Sequence, residues 1–228
     1  MNKIFPVASN KMLFFDIETC GLTESYNELP PGLKDFCKEY EDYLLRRSQL
    51  EEGSPIGDIY LSIAGLIPEL GRLIVASFGW IKDGSFVAKS MSNIHEIRDL
   101  LDLFFDKGYY LCGHNIKNFD IPYLAKKCLS DGIKPFKFAP VFDQKPWELK
   151  VIDTNQFYKF GNNSSMSSVS IISESLNIPT PKNGNVNGKN MHKFFYGGAQ
   201  NKIEEIKKYC EKDVEVIYNI INKIENLK

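Results

Sequence analysis

Apolar residues recur along this chain in two rhythms, and the alternation between them predicts strands interleaved with helices. MLFFDI (12–17) is a short apolar run closing on an acid, the pattern of a buried strand. LIVASFGW (73–80) and SFVAKSM (85–91) are two more, joined by Ile81-Lys82-Asp83-Gly84, whose Asp-Gly pair predicts a hairpin. Asn93, with Glu96 three residues on, matches a capping box. The helix it opens buries Ile94, Ile97, Leu100, Leu101, Phe104 and Phe105 and stops at Lys107-Gly108. YYLCG (109–113) and KVID (150–153) predict further strands, with helices starting near Asp120 and spanning 168–176. In the last stretch Ile203, Ile206, Cys210, Val214, Ile217, Ile221 and Ile224 recur at steps of three and four, one buried face of a helix ending near residue 225.

Two segments break the rhythm. Residues 22–60 carry ELPPG and then a charge-rich stretch (33–53) that reads as a solvated helix; they form an insertion after the first strand, reaching to about residue 70. PTPKNGNVNGKN (179–190) is rich in Pro, Gly and Asn and is expected to be mobile. Strands alternating with helices, plus one hairpin, indicate an α/β fold with a mixed sheet.

Composition narrows the picture. The 228 residues suffice for one large domain or a domain plus an insertion. A net charge of −1 excludes a polycationic nucleic-acid coat but leaves room for a local grip through a metal and a few lysines. Five cysteines (20, 37, 112, 128, 210) without a CxxC pair predict reduced thiols acting as small buried hydrophobes. With no signal-peptide pattern and no run of eighteen apolar residues, a soluble, cytoplasmic protein without a membrane partner is expected. Richness in Lys, Asn and Ile suggests an AT-rich genome, bacterial or viral.

The chemistry lies in acids at odd places. Asp213 projects toward the apolar face of the last helix, with Tyr209 one turn earlier, and an unpaired carboxylate there is costly. Asp16 and Glu18 flank Ile17 at the end of the first strand and project to the same side. Asp120 follows the YYLCG strand across a short loop. Singly, each has a bland reading: solvent-facing acids, a helix N-cap before Pro122, a core tyrosine. Together the four acids predict one carboxylate cage around a hard cation, Mg²⁺ or Mn²⁺.

FFDIETCGL resembles the first motif of the DEDD (DnaQ-like) 3′-to-5′ exonucleases. GHNIKNFDIPYL resembles the second, in the form seen in proofreading domains of family B DNA polymerases. YCEKD resembles the third in its tyrosine form, with Lys208 where the histidine branch would need His. The segment from IPTPKNG to YCEKDV is similar to predicted stand-alone exonucleases related to that proofreading domain. The likeness covers most of residues 12–222 and is vague over 22–70.

The resemblance implies a ribonuclease H-like fold with a mixed five-stranded sheet flanked by helices, and a single 3′-to-5′ exonuclease domain over residues 1–228. It implies two divalent ions, Mg²⁺ or Mn²⁺, about 3.5–4 Å apart. Asp16 would bridge them, Glu18 and Asp213 would complete the nucleophile side, Asp120 would hold the leaving-group side, and Tyr209 would orient the attacking water. Thr19, Leu22, Asn115, Phe119 and Lys182 are the expected substrate contacts. His114 reads as a loop or core histidine, and His95 and His192 carry no supporting constellation. The expected partner is single-stranded nucleic acid, DNA ahead of RNA, with proofreading or DNA repair beside a polymerase in trans as candidate settings. The alternatives are an exoribonuclease similar to ribonuclease D and an inactive nucleic-acid-binding or polymerase-accessory module.

Overall fold

The computed structural model describes residues 4–165, 167–180, 186–188, 190–198 and 202–227. Five strands make one sheet: β1 (Met12–Gly21), β2 (Gly71–Lys82), β3 (Ser85–Met91), β4 (Tyr110–Gly113) and β5 (Val151–Asp153). They lie in the order β3-β2-β1-β4-β5. β1–β2 and β2–β3 are antiparallel, whereas β1–β4 and β4–β5 are parallel, so the sheet is mixed as expected. The β2–β3 turn is Asp83-Gly84 with both φ angles positive (50° and 80°), the backbone that two-residue hairpins need.

Helices cover both faces. The period of two in β1 decides which side chain meets which layer. Leu13, Phe15 and Ile17 pack with Ile97 and Leu101 of α4 (Ile94–Asp106) and with Ile121 and Leu124 of α5 (Asp120–Ser130). Met12 and Phe14 face the other way, onto Val214, Ile217, Ile220 and Ile221 of the 24-residue C-terminal helix (Lys202–Glu225). Each fully buried Phe or Leu contributes about 1.5–3 kcal/mol. A one-residue slip would turn that whole set over, so the register is strongly held. The same parity places Asp16 and Glu18 on the C-terminal helix's side. The register between β1 and β2 shifts at Glu18/Thr19, a bulge of the kind that re-aims side chains. As the sequence predicts, Asn93 caps α4, its Oδ1 accepting from His95 N and Glu96 N at 2.9 and 3.2 Å.

Three features differ from the sequence reading. First, β1 runs four residues beyond Ile17, paired with β2 through the bulge. Second, residues 22–70 hold three helices rather than one solvated helix over 33–53: α1 (Pro31–Glu39), α2 (Glu41–Ser48) and α3 (Ile56–Ile63). The chain breaks at Tyr40 (φ −107°, ψ 23°), and folding back buries Cys37, Leu44, Ile59, Tyr60 and Ile63 in a small core of their own. The polar residues of 33–53 therefore cover one face only. Third, two short helices are added, α6 (Thr154–Lys159) and α8 (Met191–Tyr196), with α7 (Val169–Ser175) between them and α9 the C-terminal helix. The expected mobile loop at 179–190 lies partly outside the described residues.

Candidate active site

β4 ends at Gly113 and pairs with β1 only from Met12 to Phe14, so the β1 edge beyond Phe14 is open on that side. Asp120 closes it. It is the first residue of α5, Phe119 holds the N-cap position, and the Asp120 carboxylate turns to the strand instead of capping the helix. Its Oδ1 accepts from Ile17 N at 3.1 Å, midway between Asp16 and Glu18 in sequence. From the other side of the sheet, α9 brings Tyr209, Cys210 and Asp213. One oxygen of Asp16, one of Glu18 and Cys210 Sγ all lie within 4.8 Å of one another. The Tyr209 hydroxyl hydrogen bonds with the Asp213 carboxylate.

The four acids share one electrostatic field. Burial pushes the Asp16 carboxyl well above its usual range, and the charges of Asp120, Glu18 and Asp213 push it further. Glu18 is raised well above its range by burial and then by Asp213 and Asp120. Burial raises Asp120 to about 7 against hydrogen bonds from the backbone at Asp120 and Ile17. Burial raises Asp213 to about 6 against the Tyr209 hydrogen bond. Two ionised carboxylates with oxygens within 4.8 Å of each other repel by at least roughly 3 kcal/mol at an effective dielectric of about 20. Among the described residues none of the four forms an ion pair. Glu18 is only 9% exposed, and what acts on its carboxyl is burial and neighbouring acids, with no hydrogen-bond donor among the described residues. An all-oxygen, all-acid set lacking its own cation fits a hard divalent ion.

Clefts open on both flanks of the acid row. The first, about 450 Å³, is lined by Asp16, Tyr209, Asp213, His114 and, from the α7 side, Val169 and Ser170. The second, about 370 Å³, is lined by Glu18, Thr19, Phe119, Gly65 and the half-exposed Leu61 and Leu66 of the 22–70 segment. Of the residues expected to touch substrate, Phe119 faces this second cleft, tilted on Tyr123. Thr19 also lines it, but its hydroxyl donates to Gly65 O at 2.6 Å and so pins the 22–70 segment to β1. Leu22 packs into that segment's core and borders a separate cavity with Arg72 and Lys127. Asn115 sits in the turn after β4 with φ 59°, its side-chain oxygen accepting from Asn118 Nδ2. Lys182 lies outside the described residues. His114 borders the first cleft, its Nδ1 3.0 Å from Thr154 Oγ1.

Two residues that shape the site were not singled out from the sequence. Asp153, 4% exposed, accepts from the backbone N–H groups of Asn115, Lys117 and Asn155, and thereby holds the turn that delivers Asp120. Its signal was an acid at a strand end just before Thr154-Asn155, a helix-cap pattern. Cys210, read only as part of the buried stripe, places Sγ 3.4 Å from Asp16 Oδ2. Its position three residues before Asp213 on the same face was the available clue.

Acids on the central strand, at an open edge between a parallel and an antiparallel neighbour and under a C-terminal helix, define a ribonuclease H-like α/β protein. The RNase_H superfamily model matches residues 63–225, well over half the chain, and the chain belongs to that superfamily. The matched span takes in Asp120, Tyr209 and Asp213, while Asp16 and Glu18 precede it. No curated protein matches the chain. Membership points to nuclease-type chemistry and to the divalent metals typical of the superfamily. Among the described residues no helix is long and apolar enough to cross a membrane.

Proposed function

We propose that this protein is a metal-dependent 3′-to-5′ exonuclease of the tyrosine-bearing DEDD branch, similar to stand-alone relatives of the family B proofreading domain. It removes nucleoside 5′-monophosphates from single-stranded ends, DNA ahead of RNA. The observation that carries this reading is that Asp16 and Glu18 bring donor atoms within 4.8 Å of each other while the charges of Asp120 and Asp213, from two other parts of the chain, act on both, and among the described residues none of the four has a cation. Tyr209 stands beside Asp213. Asp16, Glu18, Asp120 and Asp213 would hold two divalent ions, Mg²⁺ or Mn²⁺, which when bound supply the charge that activates water and offsets the phosphate.

The chain's own groups do the rest. Burial and the adjacent acids push the Tyr209 phenol up, so it stays protonated and cannot act as a base. Its proton goes to Asp213, leaving its oxygen lone pairs to accept from a water and orient it. Attack breaks the bond between phosphorus and the 3′-oxygen, that oxygen takes a proton, and the shortened strand keeps a 3′-hydroxyl. In the second cleft Phe119, Leu61 and Leu66 offer apolar faces on which any base can stack, in keeping with tolerance of sequence. Both clefts have the size of small-ligand sites, which suits a single nucleotide splayed from an unpaired end.

The test compares 5′-labelled single-stranded DNA and RNA of equal sequence in Mg²⁺ and Mn²⁺. Expected is stepwise shortening from the 3′ end, abolished by EDTA and by Asp16→Ala or Asp213→Asn. Binding without hydrolysis would replace this reading with an accessory module, and faster loss of RNA would replace it with an exoribonuclease.

A further inference from the structure

Cys210 puts a soft donor inside a cage of hard ones. It is fully buried on α9, and its Sγ lies 3.4 Å from Asp16 Oδ2 and 3.5 Å from Asp16 O. Asp16, Glu18 and Cys210 each present one donor atom, all within 4.8 Å of one another. Glu18, a nine-tenths-buried residue, turns its carboxyl to the second cleft and meets no hydrogen-bond donor among the described residues, which leaves its oxygens open to an ion.

We propose that Asp16, Glu18 and Cys210 form a site for a thiophilic divalent ion, zinc above all, and that zinc there shuts out the hard ions the acids otherwise hold. Zinc binds Cys sulfur at about 2.3 Å and carboxylate oxygen at about 2.1 Å in a tetrahedral shell, which sets sulfur and oxygen about 3.6 Å apart. The 3.4 Å between Cys210 and Asp16 is close to that spacing before any ion arrives. Two carboxylates and a thiolate complete three of four positions, leaving one open. Mg²⁺ draws no comparable benefit, because it asks for an octahedral shell of oxygen, and softness rather than charge separates the two ions. Because Asp16 and Glu18 belong to both sets, the two occupancies exclude each other.

The thiol is also held in place from behind. Asp16, Ser77 and Ser90 are direct cross-strand neighbours in one row. Cys210 hydrogen bonds with the fully buried Ser77, Ser77 Oγ lies 2.8 Å from Ser90 Oγ, and Ser90 Oγ donates to Glu211 Oε1 at 2.6 Å. Ser90 gives its proton to Glu211, and the thiol's own hydrogen points to Asp16, so Ser77 stands behind the sulfur as a donor. An ion held there would take the place of the thiol hydrogen on sulfur, and the displaced proton would pass to water in the cleft that Asp16 lines.

The inhibitory half of the proposal rests on the exonuclease reading; the binding half does not, and its test needs no activity. The full-length chain is titrated with Cd²⁺, a spectroscopic stand-in for zinc, and the sulfur-to-metal charge-transfer absorption is followed. Expected is a band saturating at one equivalent, bleached by Zn²⁺ and lost in Cys210→Ser, with zinc affinity falling by about tenfold or more. A band that survives in Cys210→Ser, or no band in the wild type, overturns the site. Cys210→Ala, checked by circular dichroism, guards against a serine-specific folding defect. Should both variants unfold, the wild type still decides: excess Mn²⁺ must reduce the Cd²⁺ band, and a band that Mn²⁺ leaves untouched places the ion elsewhere. In the nuclease assay, Zn²⁺ is expected to inhibit Mg²⁺-supported hydrolysis, with an inhibition constant at least about tenfold higher in Cys210→Ser. If no hydrolysis is seen at all, the exonuclease reading fails while the charge-transfer band still rules on the site.

Discussion

At the scale of single residues, the helix that carries Tyr209 and Asp213 aims both at a pocket rather than at packed hydrocarbon. Asp213 was legible because a 3.6-residue period assigns every position of a long helix to a face, and an acid on the buried stripe demands a partner. Its partners turn out to be a phenol and other acids. If Tyr209 orients the water of the proposed reaction, Tyr209→Phe should slow turnover by about ten- to a hundredfold. Metal affinity measured by calorimetry should barely change, and an unaltered rate would remove Tyr209 from the mechanism. Asp120 was ambiguous for a physical reason: an acid at a helix start is also what a capped helix shows, and only the open β1 edge decided its direction. Cys210 blended with its apolar neighbours, because a buried thiol is size-matched to them, and only its place on the face of Asp213 set it apart.

At the scale of elements, β1 and α9 together make the site, and a glycine on the strand beside β1 lets α9 sit close to the sheet. Gly79 on β2 faces α9, and a Cβ there would come within 2.5 Å of the Phe86 ring and 2.7 Å of Val214 Cγ1. Gly79→Ala should therefore cost about 1–3 kcal/mol through overpacking, a melting-temperature drop of several degrees on a chain of this size. Because Tyr209 and Asp213 ride on the same helix as Val214, turnover should fall with it. An unchanged melting temperature would mean α9 is not seated by this contact. The first two 22–70 helices were misread because charged residues outnumber apolar ones over 33–53. The stripe of Phe36, Cys37 and Leu44 becomes a face only once Tyr40 breaks the helix and α3 arrives to cover it. Helices of six residues such as α6 and α8 leave no periodic signal and depend on their neighbours to exist.

At the scale of the whole molecule, the acid row destabilises the protein that carries it. In the folded state Asp120 titrates at about 7 and Asp213 at about 6, against 3.8 for a free aspartate. The folded chain thus binds more protons than the unfolded chain between these values. The stability this contributes is full below the free value and is lost as pH rises through the folded ones. Metal-free protein should therefore melt at lower temperature at about pH 8 than at about pH 5, with a shallower slope in Asp213→Asn. Mg²⁺ or Mn²⁺ should recover stability at the higher pH in the wild type, by mass action on the folded state. A melting temperature that is level or rises over this range in EDTA would show that the acids are better solvated than their burial implies.

Period and parity along the chain determined the α/β class, the five strands, the hairpin, both long helices and the side of β1 on which Asp16 and Glu18 stand. Those features follow from local backbone geometry and from the cost of leaving apolar residues wet. Tertiary structure alone decided that β1 outruns β4 and leaves an edge for Asp120 to fill, that Thr19 ties the 22–70 segment to the strand, and that a sulfur sits among the acids. Each is a meeting between residues far apart in the chain. No local rhythm encodes the distance between two such side chains.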